Sequence, residues 1–287
     1  MLLRVLLYCG LSALLFAIAA TGSLSPRALG WSFVQGFLIA AAFFPVVRWS
    51  AATSKKLFAI IWPVLMLVGV VTLASEAAIF IETPLRQFVA GYWRLAFAYT
   101  ALAVALAYLP FRLDLYAAEA SVPAARSAAK SVLAVLAAGI VYLVLYYVFG
   151  GIFYRAFTQP YYTHQVAGTA TLKQGEAVAR SLGIWFPLIQ IARGIVITLA
   201  VLPIIRMLRL RRASTAVIVG LVLWVVGGLA PLVVPNPTMA GLLRFYHTLE
   251  IFTQNFTLGV IATMLLRGKG AAAIGSSRRT DASAAGQ

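Results

Sequence analysis

The chain has 287 residues, of which 62% are hydrophobic and 10% charged. A soluble domain carries roughly 25% charged residues, so an ordinary water-soluble enzyme is excluded. The net charge is +16, but the basic residues are scattered between apolar runs and form no single patch with reading aromatics, which argues against nucleic acid.

Apolar runs near 20 residues recur along the whole chain. That is the pattern of an all-α, polytopic membrane bundle. Eight spans are predicted, at about 3–22, 29–47, 57–81, 90–110, 131–150, 182–205, 214–234 and 240–266. The first also fits a secretory leader, with Arg4, an apolar stretch and Ala17-Ile18-Ala19 as a cleavage site. An uncleaved span is the preferred reading, because cleavage would leave the second span with an unusually short leader. Cys9, the one cysteine, lies in this run, so no intramolecular disulfide can form. It comes too early in the run for a lipoprotein anchor.

Between the fifth and sixth spans lies the one long connection, 150–181. It opens Gly150-Gly151 and is dense in aromatics, among them Tyr154, Phe157, Tyr161 and Tyr162. Aromatics beside Arg155 suit the headgroup layer, and a short interfacial or re-entrant helix is expected there, followed by a polar stretch. Residues 1–268 read as a single transmembrane domain, and 269–287, small and polar, as a disordered cytoplasmic tail.

Lysines and arginines set the orientation. Fifteen fall on the side of the termini, in the even-numbered loops and the tail, and seven on the opposite side. Both termini are therefore expected in the cytoplasm. The lipid bilayer is the implied partner, with anionic headgroups at its cytoplasmic face to meet the basic loops. Arginine outnumbers lysine 18 to 5 and alanine is abundant, which points to a GC-rich bacterial genome and to the inner membrane.

A duplication is hinted. Pro45-Val46-Val47-Arg48 closes span two as Pro203-Ile204-Ile205-Arg206 closes span six, 158 residues on. Ala90-Gly91 with Arg94 opens span four as Ala240-Gly241 with Arg244 opens span eight, 150 residues on. Both suggest a four-plus-four arrangement, 1–128 and 129–268, though Pro and Arg collect near helix ends in any membrane protein.

The charged residues inside the spans carry the functional reading. Arg193 lies mid-span, where a guanidinium costs at least a few kcal/mol and so needs a partner, a cavity or a task. Counting from the outer ends of their spans, Arg193 is about 17 Å deep and Glu250 about 15 Å. An ion pair between them is expected. On span eight His247, Glu250 and Gln254 share one stripe, with Asn255 beside it, because positions three and four apart are neighbours. Gln190 accompanies Arg193 on span six. Nearer the outside, Glu76, Arg94 and His247 form a second layer, with Glu82 and Arg86 beyond. The whole reads as a funnel of alternating charge.

No cofactor is expected. The two histidines, His164 and His247, offer no metal-ligand set, haem would need His164 to face His247, and no phosphate-binding glycine motif is present. The leading expectation is a transporter or binding protein for an anionic or zwitterionic ligand, including a lipid-linked one, approached from the outer side. Arg193 and Arg94 would hold the anion, with Glu250 as counter-ion. The alternatives are a membrane-embedded transferase or hydrolase with His247 or Glu250 as base, and a non-catalytic sensor or assembly factor with no cavity around Arg193.

Overall fold

The computed structural model describes residues 2–21, 25–50, 52–81, 84–113, 127–163, 173, 175–236 and 239–267, with side chains left aside at 111–113 and 163. Glu82, His164 and the 269–287 tail lie outside the described residues. Eight helices are long and apolar enough to cross a membrane: Leu2–Ala20, Pro26–Arg48, Ser54–Phe80, Leu85–Pro110, Ala128–Tyr162, Trp185–Met207, Arg212–Val233 and Gly241–Leu266. They are called spans one to eight. No strand occurs among the described residues, only two isolated bridges. The molecule is an all-α polytopic bundle of the membrane type.

Its surface is apolar, as a bilayer requires. Leu133, Phe97, Ile140 and Trp185 are all more than half exposed, and lipid tails replace water as their solvent. The interior is built on close backbone approach. A Cβ on Gly194 would sit 2.5 Å from Tyr142 Cβ and 3.0 Å from Gly139 Cα, so spans five and six can touch there only through small residues.

Span one packs on spans two and four, and span three on span four. Span five packs on spans six and eight, and span seven on span eight. The two groups of four meet through spans two, three, six and seven. The proximal end is the end where span one begins and span eight finishes; the distal end is opposite.

Four spans are interrupted by a π turn: 67–71, 154–158, 225–229 and 252–256. Each holds an extra residue in one turn, and such turns gather at functional sites. The turns of spans three and seven touch each other, as do those of spans seven and eight.

Among the described residues no re-entrant helix begins at Gly150. Span five continues through both glycines as one helix of 35 residues. Among apolar neighbours every backbone group must be satisfied within the helix, so a Gly-Gly pair is too weak a break to end it. A separate short helix, Gly175–Leu182, follows and packs on spans three and six.

Candidate functional site: a polar cavity in the distal half

A cavity of about 480 Å³ is lined by spans three and five to eight, by Tyr92 of span four and by the short helix Gly175–Leu182. Its charged lining comes from Glu76, Arg193, His247, Glu250, Arg155 and Glu176. The rest is mostly aromatic and small, and Tyr142, Tyr146 and Phe186 line it in tilted and edge-to-face ring contacts.

Arg193 is paired with Glu76, at 2.6 Å between guanidinium Nη2 and carboxylate Oε2. Its guanidinium also lies 5.7 Å over the Tyr142 ring, a cation–π contact. The expected partner, Glu250, is not the one used. Two physical reasons account for this. The outer part of span eight packs on spans five and seven, and span eight reaches span six only lower down. The arginine side chain is also long enough to reach toward the shallower Glu76, its stem against apolar surface and its head in polar surroundings. Depth matched Arg193 to Glu250, but direction around the helix axis decided otherwise. Among the described residues, Nε of Arg193 is buried without a hydrogen-bond partner.

Glu250 is held within its own helix. His247 Nδ1 lies 2.9 Å from Glu250 Oε2, and Gln254 Nε2 donates to Oε1 at 3.1 Å. With Glu250 ionised, Nδ1–H donates to it, leaving Nε2 to accept from the Tyr162 hydroxyl at 2.9 Å. Tyr162, His247, Glu250 and Gln254 thus form a continuous chain along the cavity wall. Gly150 makes room for it: a Cβ there would lie 3.3 Å from Glu250 Oε1.

The predicted stripe on span eight is therefore brought together as spaced, and Asn255 joins it. Asn255 is buried in the π turn, donates from Nδ2 to Leu223 O at 3.3 Å, and keeps Oδ1 without a partner among the described residues. Glu76 lines the same cavity. Two predicted members do not. Arg94 is exposed on span four, and its neighbour Tyr92 faces the cavity in its place. The two are only two residues apart, which on a helix is more than half a turn. Gln190 is 1% exposed and lies outside the lining, its Oε1 buried without a partner among the described residues.

The aromatic segment expected at headgroup level also supplies a wall of the cavity. Tyr142, Tyr146, Gly150, Tyr154, Thr158 and Tyr162 all line the cavity at steps of four. On a straight α-helix such a ladder drifts about 40° per step. The π turn at 154–158 absorbs an extra residue and brings Thr158 and Tyr162 back to the cavity side. The step of four was legible in the sequence, but the correction was not.

Replacing His247 tests the chain of hydrogen bonds. His247→Phe removes both contacts and strands part of a carboxylate whose side chain is only 15% exposed. The expected cost is about 1–3 kcal/mol, read as a lower unfolding midpoint in mild detergent. His247→Gln, which keeps a donor, should lose less.

Fold and site together define a multi-pass helical protein of the membrane type with a charged internal cavity. No protein-family model, no curated protein and no solved structure matches the chain.

Proposed function

We propose that this protein is a transporter or binding protein of the bacterial inner membrane, and that the distal cavity takes an anionic or zwitterionic amphipathic ligand. The observation that carries this reading is the convergence of Glu76, Arg193, His247 and Glu250, from three spans, on one cavity of about 480 Å³. That volume falls within the usual range for ligand sites, roughly 300–1,000 Å³. The Arg193 guanidinium lines the cavity and supplies the anion contact. Glu250 and the surrounding tyrosine rings suit a cationic group on the same molecule. The Lys and Arg distribution supports an orientation with the distal end on the outer side and both chain termini in the cytoplasm. The cavity beside Arg193 favours a ligand-binding role over a sensor or assembly factor with no ligand.

A membrane-embedded enzyme is the second reading, favoured by one observation. His247 is oriented by Glu250 and reaches Tyr162 with its other nitrogen. That arrangement suits general acid–base chemistry on a lipid-linked substrate.

The test is thermal stabilisation of purified protein by three probes: a lysophosphatidylethanolamine, a lysophosphatidylglycerol and the cation dodecyltrimethylammonium. A ligand at 100 times its Kd stabilises by about 2.7 kcal/mol. The first two should raise the unfolding midpoint of the native chain, and both gains should vanish when Arg193 and Glu76 are both replaced by Met. Equal responses to all three probes, or responses unchanged in the double variant, would sink the proposal. Slow hydrolysis of either lipid, lost in His247→Gln, would favour the enzyme reading.

A further inference from the structure

Equivalent positions recur along the two groups of four spans. Spans two and six are both 23 residues long. Gly36 and Gly194, 158 residues apart, are each the point where a span meets the one before it. A Cβ on Gly36 would lie 3.0 Å from Ala13 Cα and from Phe16 Cβ. On Gly194 the neighbours are Gly139 and Tyr142, each 126 residues beyond Ala13 and Phe16. Spans three and seven both run 13 α-helical residues into a five-residue π turn, again 158 residues apart. Within those turns Gly69 presses on Tyr99 and Gly227 on Asn255.

The packing order repeats as well. One on two, one on four and three on four becomes five on six, five on eight and seven on eight. Between the groups an antiparallel bridge joins Ser50 to Leu208. These are also 158 apart, so a residue pairs with its own counterpart, as it must on a two-fold axis.

We infer that the chain is two copies of one four-span unit, about 1–128 and 129–268, related by a two-fold axis through the Ser50–Leu208 bridge, and that the first copy contains a closed twin of the distal cavity, plugged by Tyr99. Parallel repeats related by an axis along the membrane normal are a known architecture. Burial sets the register of spans four and eight at 156 residues: Ala98, Tyr99, Leu102 and Leu106 are buried, as are Gln254, Asn255, Leu258 and Ala262. This replaces the offset of 150 suggested by the Ala-Gly openings.

In the second copy Tyr142, Arg193 and Asn255 surround the open cavity or line it. Their counterparts are Phe16, Gln35 and Tyr99. There the Tyr99 ring stacks on Phe16 at 5.5 Å, and its hydroxyl accepts from Gln35 Nε2 at 3.4 Å. All three are buried, and the space is filled. The twin also lacks a distal wall, because span one ends at Ala20, the counterpart of Tyr146, where span five continues to Tyr162. Glu76 has Val234 as its counterpart and Arg193 has Gln35, so the twin lacks that ion pair, and Arg94, the counterpart of Glu250, is exposed on the surface of span four. Unplugged, it takes a small neutral ligand and no anion. This inference stands whatever the ligand of the open cavity proves to be.

The test uses the full chain with Cys9→Ala, reconstituted in liposomes and treated with the small neutral thiol reagent methyl methanethiosulfonate. Phe16→Cys reports on the twin and Tyr142→Cys on the open cavity. Adding Tyr99→Ala should speed modification of Phe16→Cys by roughly tenfold or more, since thiol reactivity follows access. Adding Asn255→Tyr, which transplants the plug, should slow modification of Tyr142→Cys by a similar factor. Unfolding cannot produce that slowing. If Asn255→Tyr leaves Tyr142→Cys as reactive as before, or Phe16→Cys reacts equally with and without the Tyr99 ring, the inference is overturned.

Discussion

Replacing Glu76 by Met should destabilise the protein more than replacing Arg193 by Met. Each change leaves a charge without its partner, and stranding a buried charge costs roughly 3–5 kcal/mol. The two sites differ in what is stranded. Arg193 has a side chain 10% exposed and Glu76 one 35% exposed, so the lone guanidinium is the worse case and the lone carboxylate keeps access to the cavity. The double replacement should recover most of the loss, because apolar residues of similar volume often match a buried ion pair in stability. It should not recover ligand binding. Unfolding midpoints of the three variants in one detergent, set beside the lysolipid responses, separate a pair that only holds spans three and six together from one that also recognises a ligand. Equal losses in the two single variants would show that burial does not govern the pair.

The second large effect lies one layer beneath the site. Gly194→Ala places a Cβ 2.5 Å from Tyr142 Cβ, against the backbone of Gly139. Neither neighbour is the free end of a flexible side chain, so spans five and six must part. Overpacking of this kind costs about 1–3 kcal/mol, and Gly194→Leu should cost more. Gly91→Ala is the control: nothing lies within 4 Å of its added Cβ, and in a helix Ala is the better residue by roughly 0.5–1 kcal/mol. A Gly194→Ala protein that melts with the native one would refute the close contact. Tyr142 is also the ring beneath Arg193, so lysolipid binding should fall along with stability.

What the sequence discloses and what it hides divide along physical lines. Eight spans were legible because crossing a bilayer takes about 20 apolar residues, a property of each segment alone. The stripe of His247, Glu250 and Gln254 was legible for the same reason: spacing within one helix fixes which side chains share a face. The partner of Arg193 was not. It depends on how two helices are turned about their axes, and the π turn at 67–71, which precedes Glu76 on span three, changes that angle with no mark in the hydrophobic pattern. Arg94 failed similarly, being correct in depth but on the wrong side. Tyr142 went unnoticed because a tyrosine in an apolar run looks like ordinary filling until its step of four with Tyr146 is seen.

The length of span five has a consequence of its own. A helix of 35 residues is about 52 Å long, against a hydrocarbon layer of about 30 Å. Its last turns carry Tyr154, Thr158 and Tyr162, so this wall of the cavity stands clear of the acyl chains, at the level where headgroups meet water. Bilayer thickness then becomes a variable of the site. A thin membrane leaves the rim standing proud and open to the aqueous phase, while a thick one draws lipid up around it and narrows the entrance to whatever already resides in the membrane.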